Sequence, residues 1–597
     1  MKKVKHGEVI LFFLIAALLV YLAFACSAIW YKSIPFDDFV RQTMESFVQP
    51  QNFRINEILK SFLIIAGVVW LLIFSAYIVS RGKFMFGREM GSAEWGSIEK
   101  INKHIMQKEN VILSRHIKMG LNMQAPPAGH GRQLNTIVIG GSGSGKTWRY
   151  VTPNLLEANC SYVVVDPAGD VMRNTGCFFE RQGYNIKVLN LANMEQSDAF
   201  NPWEYCKDQN QFQVMVDSFW KATEDPLAQK GDQFWDESAK SLMLAIVFYL
   251  WETRDTVNFH SVSALASFAE PEGEESPLDE LFDKLYQDNP DSLAVWFYGS
   301  FRKGAAQTKQ SILQVLNAKL FRTKTRAFEE MTAYDDIGLE KLYNDPKQKS
   351  ILYLIIPTMN TTYNFLVSML YMLLFESINT YYPQHGKCKQ HLRILMDEAA
   401  NIALPKNDFE KVVSVCRKYN FSIVLILQGI SQLKTMFERE RWESVMANMD
   451  TIIYLGSQEQ SSHEYFSKAL GKATIDYKTR GYSRGLRGST SENIQITGRE
   501  LMTAEEIGHM DNEDCLVFVR DERPIKDKKY DVRLHPNFTS TMEGGGEQYV
   551  YWPRREFEVS KRTEAAAAFD GEKIAAVLLD WDNLTPLGKE WVEADVD

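Results

Sequence analysis

Residues Gly140-Gly141-Ser142-Gly143-Ser144-Gly145-Lys146-Thr147 fit the pattern G-x-x-x-x-G-K-[ST], and their types suit one task, cradling a chain of phosphates. Glycines let successive backbone N–H groups turn toward one point with no Cβ in the way, and a following helix adds its positive end. Lys146 would bridge the β- and γ-phosphates of a nucleotide such as ATP, and the Thr147 hydroxyl would hold Mg2+. Such a loop needs a carboxylate to complete the magnesium shell. Leu392-Arg393-Ile394-Leu395-Met396-Asp397-Glu398 supplies a mostly apolar run ending in two acids. Asp397 would support the metal and Glu398 would polarise an attacking water, a second acid that hydrolysis needs and a simple switch does not. The plainer reading of that run is a strand ending in an exposed turn.

These residues require a sheet to hold them. Leu134 to Ile139 is a β-prone run that breaks into the glycines. Two similar runs end in polar residues that could reach the γ-phosphate: Tyr162 to Val165 before Asp166-Pro167, and Ser422 to Leu427 before Gln428. Runs of this kind suit a parallel sheet buried on both faces, where ligands gather at the carboxyl ends of the strands. Gln428 is a candidate γ-phosphate sensor, or an amide capping the next helix. Arg417, just before that strand, could enter a neighbouring subunit's site as an arginine finger, or be a solvated surface arginine. The expected class is α/β: a P-loop, mostly parallel sheet flanked by helices. Between Asn201-Pro202 and the run Ser350 to Ile356, helix-period segments such as Phe234 to Trp251 and Thr308 to Leu320 dominate, broken by an acidic loop from Glu270 to Asp279. We read 206–330 as an all-α insertion splitting the nucleotide-binding domain into 81–205 and 331–540.

The chain of 597 residues carries a formal charge of −10 and is 45% hydrophobic, which is globular composition and excludes a uniformly basic nucleic-acid binder. Its seven cysteines are scattered, as free thiols in a reducing compartment are, and its ten histidines form no H-E-x-x-H cluster for a catalytic transition metal. Val9 to Trp30 and Ser61 to Val79 lack charges and are long enough to cross about 30 Å of hydrocarbon as helices. They make 1–80 a membrane anchor with a short outer loop. Two spans put both ends on one side, and a nucleotide site needs that side to be the cytoplasm.

Taken together, these motifs resemble those of the TraG/TraD-type coupling proteins of type IV secretion and conjugation, a branch of the FtsK/HerA-like ATPases. Beyond the P-loop, Gly91-Ser92-Ala93-Glu94-Trp95 is similar to the family's juxtamembrane Gly-Ser-Ala pattern. Asp166-Pro167-Ala168-Gly169-Asp170 matches Asp-Pro-Lys-Gly-Glu with alanine for lysine, and Met396-Asp397-Glu398-Ala399-Ala400-Asn401 matches its Walker B with Ala399 for an aromatic. Phe200-Asn201-Pro202, Gly231 to Trp235, Arg417 to Asn420 with Gln428 and Gln432, and Leu501 to Ile507 fall on further landmarks. The resemblance implies a RecA-like fold and a homo-hexameric ring on the inner face of a bacterial cell membrane. It implies that single-stranded DNA with its bound relaxase is received and delivered to the secretion channel proteins using ATP. It also implies that the all-α insertion receives substrate.

For nucleic acid the best local signal is Tyr477 to Arg487, where bases alternate with glycine and two tyrosines; the plainer reading is a solvated loop. Residues 541–597 read as an acidic tail. Three alternatives stand beside the coupling ATPase: an ABC-type transporter, for which no Leu-Ser-Gly-Gly-Gln signature is present; a nucleotide-binding membrane receptor that recruits cargo without sustained hydrolysis; and a kinase.

Overall fold

The apolar runs become strands of one sheet in the computed structural model, which describes residues 6–30, 34–48, 55, 57–81, 88–223, 233–254, 257–270, 275–357, 359–399, 409–437, 441–482 and 490–553. A short antiparallel pair, β1 (Asn110–Ile112) and β2 (Lys118–Gly120), comes first. There follow β3 (Thr136–Ile139), β4 (Ser161–Asp166), β5 (Asn185–Asn190), β6 (Ser350–Ile355), β7 (Leu392–Met396), β8 (Phe421–Leu427) and β9 (Thr451–Tyr454). β10 (Lys472–Tyr482) and β11 (Thr490–Glu500) make a two-stranded ribbon, and β12 (Asp514–Val519) and β13 (Ile525–Lys528) come last. The nine-stranded sheet runs β13-β12-β9-β3-β8-β7-β4-β6-β5. Strands β3 to β9 are parallel, and β12 and β13 add antiparallel at one edge. No two of β3, β4 and β5 are partners; each waits for a strand from the second half of the chain.

Side-chain alternation feeds two apolar layers. Ile137 and Ile139 of β3 and Ile423, Leu425 and Leu427 of β8 enter the first, with the helices Gln209–Ala222, Gln233–Arg254 and Asn364–His385. Val138, Val424 and Ile426 enter the second, with the helix Asp170–Arg181 and residues from 525 to 551. Tyr549 and Tyr551 pack on this layer and the Tyr551 hydroxyl donates to Asp198 at 2.6 Å, so residues 541–553, read above as tail, lie against the sheet's own helices. The rest of that acidic stretch, 554–597, lies outside the described residues.

The described residues of the stretch read as an insertion are mostly helical, among them Phe259–Ser267, Pro277–Asp288, Leu293–Arg302 and Ala306–Leu320, while 224–232, 255–256 and 271–274 lie outside the described residues. The acidic run is only partly loop. Ser276 accepts from the Asp279 N–H at 3.2 Å while the Asp279 carboxylate accepts from the Ser276 N–H at 2.9 Å, a capping box that starts a helix at Pro277. Edge strand β5 is stoppered by side chains: Asp198 accepts the Val188 N–H at 2.7 Å and Ser197 the Asn190 N–H at 2.9 Å.

The chain divides into two units, one of 1–92 with 474–498 and one of the remainder. In the first, His6–Ile29 and Leu59–Arg81 are helices containing stretches, Leu11–Ile29 and Leu59–Tyr77, long and apolar enough to cross a membrane. The Trp70 indole donates to the Phe12 carbonyl at 3.2 Å and ties them together. The segment between them, expected as an outer loop, contains the helix Phe36–Val48, whose Phe39 ring packs against Trp30 and Phe62. In the same unit the Thr474 hydroxyl donates to Gly91 and accepts the Met90 N–H at 3.0 Å.

Candidate nucleotide site

The glycine-rich loop hangs between two strands. Gly140 N–H donates to the Leu427 carbonyl of β8 at 3.0 Å, and Gly141 N–H to the Gly456 carbonyl after β9 at 2.9 Å. Gly145 has to be glycine because its φ is +80°, and a Cβ at Gly140 would crowd the Ser144 side chain and Leu455. The Lys146 ammonium rests on the carbonyls of Gly140 and Gly141 at 2.9 and 3.3 Å. Thr147 opens the helical segment that follows, and its hydroxyl donates to the Asp397 carboxylate at 3.1 Å.

Asp397 reaches that hydroxyl because only β8 lies between β3 and β7, so both motifs emerge on the same carboxyl edge. Asp397 is 6% exposed, and burial pushes its carboxyl above the ordinary range against the opposing Thr147 hydrogen bond and Lys146 charge. Its second oxygen accepts the Glu398 N–H at 3.0 Å in a sharp turn where Glu398 takes a left-handed φ of +51°. Glu398 is half-buried; Ala400 and Asn401 beyond it lie outside the described residues. A hydroxyl and a carboxylate converging beside a lysine-bearing glycine loop are the oxygen donors that Mg2+ takes with a bound nucleotide. The cradle itself excludes side chains, so the residues present fit both groups.

Gln428 directly follows β8, between the two motifs, with an exposed side chain. It does not cap the next helix, Ile430–Met436; Glu459 does, accepting the N–H groups of Ile430 at 2.8 Å and Ser431 at 3.1 Å. Asp166 is turned away from any ligand: 1% exposed, it accepts the Met172 N–H at 2.8 Å and caps the helix that follows it. Arg417 is not brought to its own chain's loop. It is exposed near the end of the helix Phe409–Tyr419, and its guanidinium donates to the Gly131 carbonyl ahead of β3, at the opposite edge of the sheet. Tyr477 and Lys478 are exposed on β10, whereas 483–489 of the basic segment lie outside the described residues.

The sequence reading missed three groups. Arg393 is 1% exposed within β7 and donates to the Tyr150 hydroxyl at 2.7 Å; its charge inside an apolar run was a visible signal. Glu459 and Lys529, whose ammonium touches the phosphate loop at Ser144, carried none, because their partners are distant in sequence.

Comparison with known proteins gives the family and the fold. The family profile described as type IV secretory system conjugative DNA transfer matches residues 88–540. The conjugal transfer protein TraG of Agrobacterium fabrum is 21% identical over 412 residues, 65% of this chain and 59% of TraG. Protein VirD4 of Rhizobium radiobacter is 21% identical over 406 residues, 67% of this chain and 57% of VirD4. The chain thus spans less than two thirds of the length of these curated relatives. Among solved structures, unbound bacterial conjugative coupling protein TrwBdeltaN70 superposes with a TM-score of 0.53 at 17% identity, covering 76% of this chain and 97% of its own. Plasmid coupling protein TrwB in complex with ADP and Mg2+ gives 0.52 at 16%, covering 74% and 97%. These two likenesses establish the fold.

Proposed function

The chain belongs to the type IV secretory system conjugative DNA transfer family, as a coupling protein of the TraG/VirD4 type, and from that premise we propose that it is a membrane-anchored ATPase whose hydrolysis energises delivery of relaxase-bound single-stranded DNA to the secretion channel. It works as a homo-hexamer, anchored in a bacterial cell membrane by its two apolar helices, with the nucleotide site in the cytoplasm. The observation carrying this reading is the Thr147 hydroxyl 3.1 Å from Asp397, beside Lys146 on the glycine loop.

In this reading the loop N–H groups and Lys146 hold the phosphates. Thr147 and Asp397 hold Mg2+, which when bound neutralises phosphate charge. Glu398 takes the proton of the attacking water, and Gln428, held between the two motifs, senses the γ-phosphate. TrwB, solved with ADP and Mg2+, supports nucleotide and metal as the ligands.

The test is ATP turnover by the full chain in detergent, with and without single-stranded DNA. Lys146→Ala is expected to abolish turnover and leave membrane insertion intact. Glu398→Gln is expected to keep nucleotide binding while lowering turnover by about 10²–10⁴-fold, the usual yield of a general base. Normal DNA transfer in cells carrying Glu398→Gln would instead identify a receptor that does not depend on hydrolysis.

A further inference from the structure

The helical segment after the phosphate loop is held by residues flanking the last two strands of the sheet. Arg149 pairs with Glu513 at 2.7 Å and Asp531 at 3.8 Å, and the Trp148 ring packs edge-on against Phe538 at 5.8 Å. On the loop itself lands Lys529, the residue after β13. Its ammonium donates to the Ser144 carbonyl at 3.3 Å and to the Asn512 side-chain oxygen at 3.2 Å. Lys529 is 3% exposed, its backbone is fixed by the Glu513 carbonyl at 2.7 Å, and burial holds its pKa below the ordinary lysine range. A buried ammonium is costly unless it is hydrogen-bonded, and the Ser144 carbonyl and Asn512 amide oxygen are the acceptors that hold this one.

The peptide joining Ser144 to Gly145 is planar and trans, so its C=O and N–H point in opposite directions. Holding the Ser144 carbonyl outward, toward Lys529, turns the Gly145 N–H inward, to the concave side where phosphates bind. We propose that Lys529 is a positioning residue for the phosphate loop: through the Ser144 carbonyl it fixes the Gly145 N–H as a phosphate donor, and so links the β12–β13 edge of the sheet to nucleotide affinity. The inference rests on the nucleotide-binding reading above and adds a residue to it. Lys529 touches no phosphate, and its effect passes entirely through the loop backbone.

The experiment measures binding of Mg-ATP, Mg-GTP and inorganic triphosphate to the full chain in detergent, with thermal melting of each ligand-free variant. Lys529→Met keeps the length of the side chain and removes the donor; Lys529→Arg keeps a charged donor. Loss of one charge-assisted hydrogen bond predicts about a tenfold weaker affinity for all three ligands in Lys529→Met, since the donor addresses phosphate and not base. Ligand-free melting is expected to be unchanged, and Lys529→Arg is expected to recover part of the affinity. Wild-type binding with equal affinity in Lys529→Met overturns the inference alone. A wild-type chain that binds no nucleotide overturns the proposed function and the inference with it. If both variants lose their melting transition, Lys529 is a requirement of the fold and the positioning role is overturned.

Discussion

Asp397 carries opposing demands in one carboxyl. Its raised pKa means the folded chain binds that proton more tightly than the unfolded chain, so this group adds stability as pH falls through the folded value and costs stability above it. Metal holding needs the ionised form. Asp397→Asn keeps an oxygen for the Thr147 hydroxyl while removing the buried charge. The expected outcome is a melting temperature equal to or above wild type at neutral pH, together with loss of Mg-dependent nucleotide binding; a melting temperature several degrees lower would show that the charge stabilises the fold. Acidification should weaken Mg-dependent binding starting from a higher pH than an ordinary carboxylate would give. Lys146 and Thr147 were legible in the sequence because phosphate chemistry dictates residue types at short local spacing, and Asp397 because it closes an apolar run, although 250 residues separate it from Thr147. Lys529 was not, since 385 residues separate it from Ser144 and only the folded sheet joins them.

Among elements, the short helix Ile430–Met436 after Gln428 depends on Glu459. Burial pushes that carboxyl up, but hydrogen bonds from Ser431, Ser461 and Ser462 outweigh it and hold its pKa below the ordinary value. Gly429 permits the approach, because a Cβ there would lie 2.1 Å from a Glu459 carboxylate oxygen. Glu459→Gln is expected to cost about 1 kcal/mol in urea unfolding, the usual worth of a helix cap. It should also lower turnover more than nucleotide affinity, because it loosens the end of β8 and leaves the phosphate loop in place; an equal loss in both would separate Gln428 from the chemistry. The parallel strands β3, β4, β6, β7 and β8 were readable because apolar runs flanked by Gly, Pro and polar residues have few other uses, whereas β5 and β9 were not read, their apolar runs being short and, in β5, interrupted by Lys187. The β10–β11 ribbon was not: Lys472–Tyr482 has no sustained apolar alternation, and its strands are defined by pairing with each other. The helix Phe36–Val48 was missed for a related reason, as its acids and Arg41 masked the aromatic Phe39 that packs against Trp30.

For the molecule as a whole, the position of Arg417 bears on assembly. Seven residues of β8 at about 3.3 Å each separate the end of its helix from the nucleotide edge by about 20 Å. Arg417 can serve a nucleotide site only from a neighbouring subunit. Mixing Arg417→Ala with Lys146→Ala subunits is therefore expected to restore part of the hydrolysis that each lacks alone, measured on mixed preparations; no recovery would leave Arg417 as a surface residue. Strand order has a different consequence, for synthesis. Because β3, β4 and β5 are never one another's partners, a chain emerging from the ribosome carries three unpaired strands until β6 follows at Ser350 to join β4 and β5, and β3 waits further, for β8 at Phe421. At about 5–20 residues per second the interval before β6 lasts on the order of 10–40 s. Over it the nascent chain displays sticky, unpaired backbone, which makes it a natural client for ribosome-associated chaperones.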